Sequence, residues 1–204
     1  MLDIVERWVG WAGAAAAALF LGAALAGIVR GLHYPQGRAT GLARWTLRLP
    51  AYLLVSVGFF GACALLWRRL PLSLSEPARS VTLVLGVMLY FPGLALYLWA
   101  RSTLGEMYNV SSSMGVQLYA DHRLITHGPF AIVRHPMYLG ITLAALGGLL
   151  VYRTWTFAFI VISFLGLALR AQREEQALAA EFGEEWEAYC QQVPGWIPRL
   201  PRLR

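Results

Sequence analysis

Residues 134–170 read RHPMYLGITLAALGGLLVYRTWTFAFIVISFLGLALR, and the way this stretch divides decides the fold. Two runs free of charge, 136–152 and 154–169, are parted by Arg153 alone. Each falls short of the roughly 20 apolar residues that a spanning helix usually needs. The division predicts a tight helical hairpin with Arg153 at its tip; the competing reading is one broken or re-entrant element. Pro136 suits the first turn of a helix, where its missing N–H is no loss, so the first arm starts at His135-Pro136. The second arm continues past Leu169 into water, because Arg170, Arg173, Glu174 and Glu175 follow it.

Working outward, three further runs lack charge: 8–29, 49–67 and 80–100. All three are long enough to span a bilayer. With 58% apolar and 14% charged residues, the composition lies outside the soluble norm. The expected fold class is therefore an all-α integral membrane protein with about five transmembrane helices. The last two form the hairpin, and an amphipathic helix follows. Residues 1–100 hold the three N-terminal helices, and residues 101–204 the working region. The opening Met-Leu-Asp-Ile-Val-Glu-Arg carries two acids and one arginine, which is not the basic lead of a cleavable signal. Gly13, Ala17, Gly22 and Ala26 allow close packing of the first helix. Pro92-Gly93 predicts a kink in the third, serving either a lipid groove or packing alone. Trp67, Tyr97, Trp99 and Trp155, near span ends, read as interface anchors.

Every basic residue is arginine, and with five spans twelve of the seventeen fall on one side. The positive-inside rule then predicts an outer N-terminus and a cytoplasmic C-terminus, in a bacterial inner membrane. The loop before His135 and the C-terminal segment would share the cytoplasmic face. The net charge of +6 is accounted for by attraction to anionic headgroups and implies no nucleic acid. Cys63 and Cys190 should be unpaired. His122, His127 and His135 lack the cysteine or carboxylate companions that zinc takes, so no metal is expected.

Those three histidines, with Arg123 and Arg134, crowd into residues 122–140, directly ahead of an apolar helix. A dense polar cluster at a membrane boundary is costly unless it binds something. Gly128-Pro129 marks a turn. The helix that begins at Pro136 turns its free N–H groups toward this cluster and attracts carboxylate or phosphate. Gly140 allows close approach of a ligand or a neighbouring helix. Arg170 and Glu174, four apart, share a helical face. Leu178, Phe182, Trp186 and Tyr189 form an apolar stripe that either covers a site or lies on the membrane surface. Gly183 weakens this helix midway, and Val193-Pro194 and Ile197-Pro198 end it. Arg134 either serves the site or snorkels to headgroups, and His127 reads best as the cap of a turn.

Several of these pieces occur together. They are Gly128-Pro129-Phe130, Arg134-His135-Pro136-Met137-Tyr138-Leu139-Gly140, Arg170 with Glu174-Glu175 and Leu178, Phe182-Gly183-Glu184-Glu185-Trp186 with Tyr189, and Val193-Pro194. In this order and spacing they resemble the isoprenylcysteine carboxyl methyltransferase family. Its members are integral membrane enzymes that use S-adenosylmethionine, with phospholipid methyltransferases among their relatives. The resemblance covers the C-terminal half. It implies that His122, Leu124 and Ile125 form a cofactor-contacting strip. It implies further contacts from Phe130, usually Tyr in the family, and from the central motif His135, Pro136, Met137 and Tyr138. Glu174 would be a cofactor-binding acid, and Arg170 the substrate-facing catalytic arginine. The Phe at 130 keeps an aromatic face but removes a hydroxyl.

The cofactor carries a sulfonium, a carboxylate, an amine, a ribose diol and an adenine. Glu174 suits its hydroxyls or amine. The helix N-terminus with His135 suits its carboxylate. Phe130 and Tyr138 suit adenine or the sulfonium. A carboxylate acceptor needs no base and could be anchored by Arg170. An amine or thiol acceptor would call on His122 or His127. The expected partners are a lipophilic small-molecule or lipidated acceptor and membrane lipids. Two other classes remain open. One is a sterol-reductase-like enzyme that uses NADPH, with Arg101, Arg123 and Arg134 on phosphate. The other is a non-enzymatic accessory subunit. No Gly-x-Gly-x-x-Gly follows a strand signal, which gives no support to a Rossmann site.

Overall fold

The computed structural model describes residues 1–31, 49–108 and 123–199. Among these the α-helices are α1 (Leu2–Gly31), α2 (Leu49–Leu65), α3 (Glu76–Leu104), α4 (Pro136–Tyr152), α5 (Trp155–Ser163), α6 (Leu167–Phe182) and α7 (Glu184–Gln192). No strand occurs among the described residues beyond an isolated bridge between Arg69 and Thr154. Three runs are long and apolar enough to cross a membrane: Leu2–Ala23, Glu76–Leu104 and Trp155–Phe182. Leu54–Leu65 and Pro136–Tyr152 are shorter apolar helices. Large side chains on the bundle's outside, such as Trp8, Leu19, Leu54, Val84 and Leu165, are exposed. That is the surface of an integral membrane protein, whose solvent at these positions is lipid.

The hairpin forms as the apolar runs predict. Arg153 caps α4 in the left-handed conformation, with φ 50°, and its N–H donates to the Leu149 carbonyl. The tip is tied to residues 66–70. Leu70 N–H donates to Arg153, Trp155 N–H to Arg68 and Thr156 N–H to Leu66. The arm after Arg153 passes through a single 3-10 turn, Phe164–Gly166, and continues as α6 beyond Leu169, where its uncharged run ends. Pro92 lies within α3, which remains helical through it.

The centre of the bundle is the pairing of α3 with α4. A Cβ on Gly93 would lie 2.6 Å from the Ala144 nitrogen and 2.7 Å from the Gly140 carbonyl. A Cβ on Gly86 would lie 3.0 Å from the Gly147 carbonyl, and one on Gly147 would overlap the Tyr90 backbone nitrogen. Two glycines per helix, seven residues apart, thus let the backbones touch. In lipid, where the hydrophobic effect between helices is absent, such contact is the main source of association. Helix α1 closes on this pair. Tyr90 donates its hydroxyl to the Gly13 carbonyl at 3.1 Å, and Tyr152 to that of Gly10 at 2.8 Å. Of the small residues expected to let α1 pack closely, Gly13 meets the Tyr90 and Tyr152 side chains, whereas a Cβ on Gly22 would meet nothing within 4 Å.

At one end of the bundle, Glu6 sits between Arg79 (2.7 Å) and Arg153 (2.7 Å), and Arg79 also reaches Asp3. At the other end lie the last turn of α3, the segment from Arg123 to His135, the start of α4, and α6 with α7. The segment ahead of α4 and the C-terminal helices therefore share one end of the bundle.

Candidate functional site

A cavity opens at that second end. Its walls come from four places. The end of α3 supplies Tyr97 and Leu104, and Met107 and Tyr108 follow. The segment ahead of α4 supplies Arg123, Leu124, Ile125, Phe130, Arg134 and His135. The first turns of α4 supply Pro136, Met137, Tyr138 and Ile141. From α6 come Leu167, Arg170, Glu174 and Leu178, and α7 adds Trp186 and Tyr189.

Local sequence explains how each piece arrives. Gly128 adopts φ +62°, and a Cβ there would meet Thr103 at 3.1 Å, so the turn needs glycine on both counts. The turn Gly128–Ala131 then buries Pro129 and Phe130. His127 stands at its N-cap, but the ring makes no capping bond; the backbone carbonyl instead accepts from Phe130 N–H at 3.2 Å. His127 is exposed and lies outside the cavity wall. Gly183, with φ +50°, ends α6 and lets α7 turn across the opening. The apolar stripe thereby becomes a roof. Trp186, Tyr189 and Val193 form a buried cluster on which Leu124, Leu178 and Phe182 pack. Tyr189 donates its hydroxyl to the Phe130 carbonyl at 2.7 Å. Burial pushes its phenol up to about 12, so it stays a proton donor at neutral pH.

Two neighbouring carboxylates on α6 face different partners. Glu174 accepts the Tyr138 hydroxyl at 2.9 Å, and the Arg170 guanidinium lies 5.7 Å from the Tyr138 ring centre. Glu175 turns to the other side. Its Oε1 accepts from His135 Nε2 at 2.7 Å and from Arg134 Nε and Nη2 at 3.0 and 2.9 Å. The bond from His135 holds the Glu175 carboxyl below the usual range against the opposing cost of burial, and the Arg134 bonds add to it. Glu175 lies beyond the uncharged run of its arm, which ends at Leu169. Arg134 is thus bonded inward and does not snorkel; its Nη1 donates to the Val193 carbonyl at 2.8 Å.

Of the residues singled out in the sequence, Leu124, Ile125, Phe130, His135, Pro136, Met137, Tyr138, Arg170 and Glu174 line this one cavity. His122 lies outside the described residues. Sequence reasoning missed Glu175 as the partner of Arg134 and His135. It also missed Trp196, whose ring lies 5.4 Å from that of His135 and 6.1 Å from that of Tyr138. The Glu174-Glu175 pair was visible in the sequence, but nothing there assigned the second acid a face. The wall from Tyr97 to Tyr108 had no motif to announce it.

Fold and cavity together define a helical membrane protein with a cleft of mixed polar and apolar lining at one end of the bundle. Residues 84–180 match the isoprenylcysteine carboxyl methyltransferase (ICMT) family, a stretch that holds most of the cleft-lining residues. Several curated relatives are similar to the same part of the chain. The protein-S-isoprenylcysteine O-methyltransferase of Schizosaccharomyces pombe is 36% identical over 83 residues, covering 40% of this chain and 35% of that protein. Protein-S-isoprenylcysteine O-methyltransferase B of Arabidopsis thaliana is 27% identical over 137 residues, covering 58% and 70%. A probable protein-S-isoprenylcysteine O-methyltransferase of Oryza sativa subsp. indica is 37% identical over 83 residues, covering 39% and 44%. The chain thus spans about a third of the fission yeast relative's length and under half of the rice one's.

Proposed function

We propose that this chain is an integral membrane methyltransferase that uses S-adenosylmethionine and methylates a lipophilic acceptor. The acceptor the chemistry favours is a carboxylate of an isoprenylcysteine-like molecule. The observation that carries this reading is the convergence of His135, Pro136, Met137 and Tyr138 with Arg170 and Glu174 on one cavity, where the chain also matches the family.

The residues fit the cofactor. Glu174 offers an acceptor for its hydroxyls or amine, and Phe130 and Tyr138 offer aromatic faces to adenine or, by cation–π attraction, to a sulfonium. The first turn of α4 offers free N–H groups to its carboxylate. When bound, S-adenosylmethionine supplies an electrophilic methyl group. The protein's part is to align the acceptor with it and to exclude water, tasks suited to the buried Trp186 and Tyr189 of the roof. Arg170 anchors the acceptor carboxylate by charge-assisted hydrogen bonds, and an ionised carboxylate needs no general base. A phospholipid amine or a small thiol would need one; of the two bases the sequence offers for that role, His127 lies outside the cavity wall and His122 outside the described residues. The cleft faces the cytoplasm of a bacterial inner membrane, with the N-terminus outside, and the acceptor enters from the inner leaflet. A lipidated protein segment and a free lipid acid are both compatible acceptors.

Calorimetry in detergent tests the cofactor. S-adenosylmethionine and S-adenosylhomocysteine should bind and NADPH should not; binding of NADPH alone would mean a reductase. Incubation with labelled cofactor and a membrane lipid extract should then place the label in a base-labile ester. Label in an amine or thioether instead would replace the carboxylate acceptor.

A further inference from the structure

Glu175 is absent from the cavity wall, yet it is bonded to two residues that line it. Its Oε1 gathers three N–H groups, one from His135 and two from Arg134. The main chain is tied at the same point. Arg134 N–H donates to the Pro194 carbonyl at 2.9 Å, and His135 N–H to that of Gly195 at 3.0 Å. Trp196 then lies beside His135 with the two ring planes 33° apart. The imidazole is therefore held from behind by α6 and from the side by the segment after α7, and it is only 5% exposed.

A carboxylate can only accept, so the ring nitrogen 2.7 Å from it must carry a proton. In a neutral imidazole one nitrogen donates and the other accepts. A proton on Nε2 leaves Nδ1 with a lone pair, which repels a carboxylate. We propose that Glu175 is a positioning residue: it holds the neutral His135 ring with its proton on Nε2, so that Nδ1 meets the cavity's ligand as an acceptor for a hydroxyl or amino group. His135 then serves a donor of the cofactor, such as its ribose diol, adenine amine or α-amine, rather than its carboxylate. The ligand's identity rests on the function proposed above; the tautomer does not.

The test uses the full chain in detergent with isotopically labelled histidine nitrogens, in mildly alkaline buffer, His135 being assigned through His135→Gln. Without cofactor, the wild-type ring should show its proton on Nε2. Glu175→Gln retains an acceptor oxygen, so the tautomer should persist and S-adenosylmethionine affinity should stay near wild type. Glu175→Ala should mix the tautomers and weaken binding about 10–100-fold, the scale known for a partner behind a metal-ligating histidine. A wild-type proton on Nδ1 overturns the proposal. So does Glu175→Gln losing affinity as severely as Glu175→Ala while the ring signal is unchanged, which is what a purely structural tie would give. If Glu175→Ala fails to fold, the wild-type and Glu175→Gln spectra still decide. If wild-type protein binds no S-adenosylmethionine, the function proposal falls while the tautomer result stands.

Discussion

Glu6 and Glu175 stand at opposite ends of the bundle, and each takes two basic partners. Glu6 joins Arg79 and Arg153, tying α1 to α3 and to the hairpin tip. Both of its partners are guanidinium groups, which stay charged at any pH the fold survives. Glu175 joins Arg134 and His135, tying α6 to the start of α4. One of its partners is an imidazole, which changes its hydrogen-bonding role by moving a single proton. The first arrangement can only fasten helices. The second fastens helices and also sets what a cavity-lining group presents. A carboxylate between two basic side chains is thus uninformative until the chemistry of the partners is known.

Substitutions should separate the two ends. The largest effect is expected inside the cleft: Glu174→Ala should abolish S-adenosylmethionine binding in calorimetry, whereas Glu6→Ala leaves it intact. Unchanged affinity in Glu174→Ala would remove that residue from the cofactor. Arg170→Ala should spare cofactor affinity and lose turnover by at least roughly 100-fold, the scale for losing a transition-state contact. Equal losses in affinity and rate would assign Arg170 to the cofactor instead. Glu6→Ala should lower the melting temperature by several degrees, because it takes the carboxylate partner from Arg153 and leaves Arg79 with Asp3 alone, with kcat and KM near wild type; a change in KM would break the contrast between the ends.

Acid should act on the Glu175 end. Its depressed carboxyl contributes stability at pH values above the ordinary glutamate value of 4.5, and that contribution is lost as the pH falls through the lower, folded-state value. Acidification below 4.5 should therefore loosen the roof, read as earlier proteolysis between α6 and α7, and Glu175→Gln should flatten this dependence. The smallest effect is expected for Tyr189→Phe. It removes the bond to the Phe130 carbonyl and should cost about 1–2 kcal/mol in denaturant unfolding while the roof stays apolar.

The hairpin was legible because its signals are local. Pro136 can open a helix, Arg153 alone divides two apolar runs, and both marks coincide with the ends of α4. The roof was legible as a stripe but not as a roof, since covering a site and lying on a membrane differ only in where Gly183 sends the chain. Glu174 and Glu175 show where reading stops. They are adjacent in sequence, but successive residues of a helix point about 100° apart. Which one meets Tyr138 and which one meets His135 depends on how α6 is rotated against α4. That rotation is set by packing between residues nearly 40 positions apart, which no spacing rule encodes. The placement of Trp196 depends in the same way on two backbone bonds, to Arg134 and His135, made by a segment whose own sequence announces only an end.

The glycine contacts between α3 and α4 reach further than packing. Gly140 meets the backbone of Gly93 and Tyr97, and Tyr97 and Tyr138 are both part of the cavity wall. The spacing across the floor of the cleft is gauged by peptide groups, which have no rotamers to exchange. The lipid-facing side chains of the same helices stand outside that gauge. The protein can therefore be refitted to bilayers of different thickness or composition, residue by residue on its outer surface, without recalibrating the width of its binding cleft.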